Sequence, residues 1–459
     1  MKHIPLVIGA LLFSTLFHKQ GIGLNLSIFS VLALIILVFY NSAAFRQKST
    51  LAYAALYLVT ALAVFIYNNS LSIIANTVAF FTLVGHVSEQ NSSIYVNWLN
   101  GAYSFIAGFF HRNFNLKSKA QKVAVKKDID YLHLAKIIGT PVAVVFIFIS
   151  LYKNGNPMFN DLINGINFSF INFQWILVAV CGYYLLSNIS KPVIVDPATT
   201  KDAQTGNDLE KHGEIKTEDL KKEHQFGFIL ITALNALIIL FLITDVTYLI
   251  TSDDLRASSF SNQVHDGINA LIASIIIAII IILYFFRGNL NFYTKNKSLK
   301  LVAYIWIALN AILVINIIIK DFQYIYYFGL TYKRIGVLIY LVLTVIGLAT
   351  TFIKVKNIKN FWYLFRINTL TAFSILVVSC TVNWDSYITI YNLNYAKSMD
   401  FKYLVKLSNN NTFILKNYMD EHVLDRDKVF AIQKKYKNYL NELKDNSWQE
   451  IQFDNFKIK

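Results

Sequence analysis

The chain has 459 residues, of which 55% are apolar and only 15% charged, against about 25% charged in ordinary soluble domains. This composition excludes a typical water-soluble globule. Forty-two Lys and Arg against 27 Asp and Glu leave a net charge of +15. The two cysteines, Cys181 and Cys380, each lie in or at the end of an apolar run, so neither a disulfide framework nor a cysteine metal site can be built from them.

A helix needs about 17–25 apolar residues to cross a hydrocarbon core of roughly 30 Å, and backbone groups in lipid must be satisfied internally. The apolar runs are continuous rather than alternating, as from Leu271 to Phe286. The fold class is therefore all-α: a polytopic helical membrane protein with about eleven transmembrane helices and a small helical C-terminal tail. In chain order the expected spans are Ile4–Phe17, Ile22–Tyr40, Thr50–Tyr67, Asn69–Val87, Leu134–Tyr152, Phe173–Asn188, Phe226–Ile250, Gly267–Phe286, Leu301–Ile319, Ile335–Ile353 and Ile367–Val382. The first is short and no small-x-small cleavage site follows it. It reads as the first arm of a hairpin turned at Gly21-Ile22-Gly23 rather than as a signal peptide. Tyr95 to Phe110 is aromatic and apolar but carries Asn97, Asn100 and two glycines, which fits an interfacial helix.

These elements divide the chain into an N-terminal membrane half (1–190, about six helices), a linker (191–225), a C-terminal membrane half (226–382, about five helices) and a tail (383–459). The linker holds Pro192, Pro197 and mixed charge with almost no large apolar residue before Phe226; it is expected to be disordered and cytoplasmic. In the tail, Asp400 is placed to cap a helix carrying Tyr403, Leu404 and Leu407, and a second helix is expected over Thr412 to Tyr418. A third, Arg426 to Lys444, sets Val429, Ile432, Tyr436, Leu440 and Leu443 on one face.

Lys and Arg in successive loops from the second span onward number two, none, seven (Arg112 to Lys136, the last just inside the next span), one, six, one, four, three and four. By the positive-inside rule this alternation places the N-terminus in the cytoplasm and the tail outside. The basic balance is thus a topology signal, with anionic lipids at the cytoplasmic loops a secondary partner. No basic and aromatic module of a nucleic-acid binder accompanies it.

Polar groups gather at the expected outer ends of the last five spans. The candidate ligand-binding set is Asp245, Arg256, His265, Asp266, Lys333, Arg334, Asn383, Asp385, Tyr391 and Asn392. Lys333 and Arg334 are basic where outer loops are otherwise poor in Lys and Arg, and Asp266, Asp321 and Asp385 are their candidate partners. Interfacial anchoring explains these residues structurally. Functionally, Arg334, His265 and Asp385 are expected to converge on one outward-facing pocket, the cations meeting an anionic group. Hydrolase, nucleotide-binding and metalloprotease motifs are missing, so no catalytic residue, metal or cofactor is assigned and enzymatic activity stays open.

Several stretches carry a resemblance. They are Ser261 to Gly267 leading into Leu271 and Ile272; Tyr327 to Arg334; Asn383-Trp384-Asp385; Tyr391-Asn392; and Asp400 with Tyr403-Leu404. Together, over roughly 130–407 and more weakly at Gly23-Leu24-Asn25, they resemble a bacterial multi-pass membrane family catalogued only as a domain of unknown function. The resemblance implies a bacterial membrane protein and transfers no activity, though it singles out His265, Gly329, Arg334, Asn383, Asp385, Tyr391 and Asn392. Three function classes follow: binding or processing of an envelope component at the outer leaflet; a secondary transporter, with a midplane cavity lined by Asn310 and Asn316; or a membrane scaffold or sensor partner.

Overall fold

The computed structural model describes residues 3–120, 131–165, 172–211, 213, 217–251 and 257–458, without the side chains of 113–120, 131–139, 142–143, 146, 162–165, 248–251 and 257–270. Among these residues the chain is helical, with one isolated antiparallel bridge between Asp208 and Lys359. The first half contributes α1 (Ile4–Phe17), α2 (Leu24–Tyr40), α3 (Lys48–Tyr67), α4 (Ser70–Ser88), α5 (Ile94–Ala120), α6 (Tyr131–Gly155), α7 (Pro157–Gly165) and α8 (Phe173–Ser190). After α9 (Asp196–Gln204) come α10 (Thr217–Thr251), α11 (Ala257–Phe285), α12 (Lys297–Phe328), α13 (Tyr332–Asn357) and α14 (Phe361–Cys380). The tail holds α15 (Trp384–Asn394), α16 (Phe401–Lys406), α17 (Thr412–Glu421) and α18 (Arg426–Asp445).

Among the described residues seven helices are long and apolar enough to cross a membrane: α3, α4, α8, α10, α12, α13 and α14. Beside them α1, α2 and the Leu271–Phe285 part of α11 are apolar but shorter. Length and composition thus support seven spans where the sequence alone leads to about eleven; the expected span Leu134–Tyr152 falls on α6, whose side chains are described only in part. Large apolar side chains such as Ile35, Leu62, Ile229, Leu240, Ile315 and Val378 stand exposed along these helices. A water-exposed apolar surface of that extent is foreign to soluble monomers, and the protein is membrane-embedded.

Side-chain caps fix where several helices begin. Asn69 forms a capping box with Ser72 at α4, and Asn172, Thr331, Asn360, Asn383 and Asp400 each accept a backbone N–H at the starts of α8, α13, α14, α15 and α16. Such caps replace bonds that the first helical turn cannot make for itself.

Two large apolar cores lie among these helices. One joins α10 to α13 around Ile231, Ile282, Leu299, Val314 and Leu341. The other joins α1 to α5 and α8 around Leu37, Tyr57, Leu83 and Leu186, and it also takes Phe373 and Val377 of α14. The last span of the C-terminal half therefore packs with the N-terminal half. Within this second core α4 and α5 meet backbone to backbone. A Cβ at Gly85 would fall on the Asn97 backbone, and one at Gly101 on that of Phe81; small residues permit this approach.

Hydrogen bonds sort the helix ends into two levels. At one end, Tyr67 Oη donates to Thr381 O (2.9 Å), Asn68 to Ile22 O (2.8 Å) and Asn410 to Tyr67 O (2.8 Å); this is the tail end. At the other, His86 meets Ser49 (3.1 Å), Asn41 donates to Ser190 O (2.9 Å) and Ser93 donates to Asp202; this is the linker end. The start of α5 touches α4 near the linker end. Further along the same helix, Arg112 donates to the carbonyls of Ser187, Asn188 and Lys191, again at the linker end.

Residues 192–211 depart from the disordered linker that composition suggests. Val193 and Val195 bond Ser104 and Asn100 of α5, α9 follows, and Leu209 N donates to Ile358 O (3.0 Å). The order comes from polar ladders to distant residues, which an apolar-content criterion does not register.

Candidate functional site

The tail end carries a polar joint built where α12 turns into α13 and α15 lies across the turn. Gly329 ends α12 with φ +79°, a left-handed conformation, and a Cβ there would strike the Asn392 side chain. Only glycine suits both demands. Asn392, buried on α15, then clamps the next residue, accepting from Leu330 N (2.5 Å) and donating to Leu330 O (2.8 Å). Arg334, in the first turn of α13, donates to Phe328 O (2.9 Å) and Gly329 O and lies over the Tyr324 ring at 4.1 Å. The guanidinium thus satisfies the orphan carbonyls at the end of α12.

Asp385 sits in the first turn of α15 and is 1% exposed. Its carboxylate accepts from Tyr332 Oη (2.8 Å) and from Ser408 Oγ of the tail. Tyr403 Oη accepts from Tyr332 N (2.9 Å). Burial raises the Tyr403 hydroxyl above its ordinary range, with the Asp385 charge adding to the rise while the bond from Tyr332 and the charge of Arg334 oppose it. Tyr403 thus lies within the fields of both charged residues.

Lys435 of α18 completes the joint. Its amine donates to Val405 O (3.1 Å), Leu407 O (2.8 Å), Ser408 O (3.0 Å) and Asn411 Oδ1 (2.7 Å). Burial lowers it to about 8 against the opposite pull of Asp385, so it remains an ammonium at neutral pH. Around these groups Leu330, Ile335, Ile388, Leu404, Leu415 and Ile432 form a continuous apolar core that fuses the tail to α12 and α13.

The candidates named from the sequence distribute as follows. Arg334, Asp385, Tyr391 and Asn392 come together around this joint, and Asn383 caps α15 by accepting from Ser386 N (3.0 Å). Lys333 is exposed on the first turn of α13. Asp245 takes no part: it pairs with Lys320 (2.5 Å) and Asn316, a link between α10 and α12. Arg256 lies outside the described residues, and His265 and Asp266 lie on the part of α11 whose side chains are not described. Of the pair Asn310 and Asn316 expected to line a transport cavity, Asn316 is spent on Asp245 and Asn310 donates to Trp306 O (2.8 Å) within its own helix.

A second polar joint stands at the linker end. Arg366 of α14 donates to Asp202 Oδ1 (3.0 Å), Asp202 O (2.6 Å), Thr205 O (2.8 Å) and Asn207 Oδ1 (2.7 Å). Asp202 also accepts from Ser93 N (2.8 Å), Ser93 Oγ (2.8 Å) and Tyr95 Oη (2.5 Å). Burial works against its charge, but the bonds from Tyr95, Ser93 and Arg366 outweigh it and hold the carboxyl below the usual range. Beside this joint an apolar cleft of about 360 Å³ opens between α4, α5 and α14, walled by Phe81, Trp98, Ala102, Phe373 and Leu376.

Among the described residues no group of three or more His, Cys, Asp or Glu side chains could hold a metal ion. The family model described as a domain of unknown function, DUF4153, matches residues 6–418. The chain belongs to this family. Its match extends well beyond the 130–407 region that carries the resemblance; it takes in the linker-end joint and all of the tail-end joint except Lys435. Neither the curated proteins nor the solved structures yield a match to the chain. The DUF4153 description assigns no chemistry, so every role rests on geometry.

Sequence reasoning missed Lys435, Ser408, Tyr332 and the Asp202–Arg366 pair. Lys435 had a legible signal: it lies three residues after Ile432 and four before Tyr439, both buried, on the inward face of an amphipathic helix. Asp202 and Arg366 are 164 positions apart, and no spacing rule connects them.

Proposed function

We propose that the chain is a bacterial cytoplasmic-membrane protein that acts as a scaffold or sensor partner, with its N-terminus and linker in the cytoplasm and its helical tail presented on the outer face. One observation carries this reading. The charged groups Arg334, Asp385 and Lys435 spend their hydrogen bonds inside the protein, on the turn and the tail. Such an arrangement builds a rigid platform and leaves few free groups at this cluster for a ligand. The orientation draws on the alternation of Lys and Arg between loops.

A second reading, binding or processing of an envelope component, draws on the apolar cleft between α4, α5 and α14, which has the chemistry to take a hydrocarbon chain. Comparing the envelope lipids and metabolites of a strain lacking the protein with its parent separates the two. The scaffold reading expects an unchanged lipid and precursor profile. Accumulation of a lipid-linked precursor, restored by the intact gene, would overturn it in favour of processing.

A further inference from the structure

We infer that the C-terminal segment 447–457 is a membrane-surface anchor, with Trp448, Phe453 and Phe456 seated in the headgroup region of the bilayer that holds the spans. This rests on the membrane reading and adds a lipid contact that the tail's helical packing does not require.

The segment is fixed against the α1–α2 turn by backbone bonds. Leu24 N donates to Ile451 O (2.9 Å) and Asn25 N to Gln449 O (2.8 Å). Glu450 accepts from Gly21 N, and Ser447 Oγ donates to Gln20. The tail therefore caps the N-terminus of α2, whose first N–H groups have no partner in their own helix. Gly23 lies so close to Glu450 that a Cβ would collide with the Glu450 backbone. These contacts set the depth of the segment at the end of the α1–α2 hairpin.

Three aromatic rings in it stay uncovered: Trp448 is 52%, Phe453 45% and Phe456 60% exposed. Phe456 lies 6.4 Å from Phe65 of α3. Phe65 is two residues from the end of that span, about 3 Å along the helix axis. Further along α3, Leu62, Val59, Leu58 and Leu51 are exposed in turn, so the aromatic patch continues the lipid-facing surface of a span past its end. Lys457 lies near the Phe453 ring (5.4 Å) and pairs with Asp454 (2.8 Å). Aromatic rings beside a cation, at the level where a span ends, match the interfacial zone of a bilayer.

Spin labels decide the matter in the full chain reconstituted into phosphatidylglycerol and phosphatidylethanolamine bilayers, in a Cys181→Ala, Cys380→Ala background. Labels go at Phe456→Cys and Trp448→Cys, with Leu62→Cys as a mid-span control and Val423→Cys, on a fully exposed tail loop, as an aqueous control. The expected result is that 456 and 448 collide with oxygen several-fold more than 423 does, and with an aqueous nickel complex several-fold less. Labels at 456 and 448 that match 423 while 62 stays lipid-like would overturn the anchor and leave the membrane reading standing. A label at 62 that is itself open to nickel would overturn both. If either aromatic variant fails to fold, Phe453→Cys gives the same comparison.

Discussion

The Lys435 amine stands among four oxygen acceptors drawn from three backbone carbonyls and Asn411. Replacing it by methionine keeps an unbranched side chain, one atom shorter and without the amine, and strands those acceptors, at about 1–3 kcal/mol for each buried group left unpaired. Lys435→Met is therefore expected to loosen α18 from α16, read as faster amide exchange across Arg426–Asp445 with the spans unchanged; equal exchange in variant and parent would show that the cage contributes nothing. At the opposite end, Asp202→Asn leaves Arg366 facing a neutral amide and is expected to cost on the order of 3 kcal/mol locally. The Asp202 carboxyl is held below its ordinary value of 3.8. The unfolded state therefore binds the proton first as pH falls. The stability this carboxylate supplies is whole above about pH 5 and is lost as pH drops through its lowered value. Protease sensitivity of 192–211, followed from pH 7 to pH 3, should rise in the parent and vary less with pH in Asp202→Asn. Neither residue advertises itself in the sequence. An Asp in a proline-containing polar loop has the composition of a solvated linker, and it is the distant Arg366, Ser93 and Tyr95 that make it structural.

At the scale of elements, lipid makes helices legible and helix contacts obscure. A continuous run such as Ile275 to Ile282 has no alternative to a helix, because its backbone must bond within itself. Where a helix lies relative to its neighbours is decided by small residues that hydropathy does not weigh. Gly85 and Gly101 are ordinary glycines in the sequence, yet they let the backbones of α4 and α5 touch. Gly101→Ala inserts a methyl group against the Phe81 backbone and should destabilise the α4–α5 pair by about 1–3 kcal/mol. Thermal unfolding in detergent should fall for Gly101→Ala and stay near the parent for Gly155→Ala, where a Cβ meets open space; equal midpoints would show that the close approach is not needed. In α18 the buried positions are Ile432, Tyr439 and Leu443, a face turned slightly from the expected stripe of Val429, Ile432, Tyr436, Leu440 and Leu443, so that it includes Lys435.

Across the whole molecule, the sequence makes the membrane class plain and hides how the halves are tied. Phe373 and Val377 carry the last span into the core of the N-terminal half, and residues 449–451 return to cap α2. Both are contacts between segments far apart in the chain, invisible to any local window. Yet their consequence for topology is simple. α4 begins beside the tail, since Asn410 bonds Tyr67 just before it, and ends beside the linker, since Ser93 just after it bonds Asp202. With α4 as a span between the two polar joints, α9 and α18 are expected on opposite faces of the bilayer whichever way the protein points. Asn441 on α18 and Gln204 on α9 are both exposed. As single cysteines in the Cys181→Ala, Cys380→Ala background, they should differ sharply toward an impermeant maleimide. Asn441→Cys should react in cells whose outer layers admit the probe, and Gln204→Cys only after the membrane is opened. Labelling of both in intact cells would break the assignment of the joints to opposite faces. Labelling of Gln204→Cys alone would preserve that assignment and reverse the orientation, moving the tail and its platform to the cytoplasm.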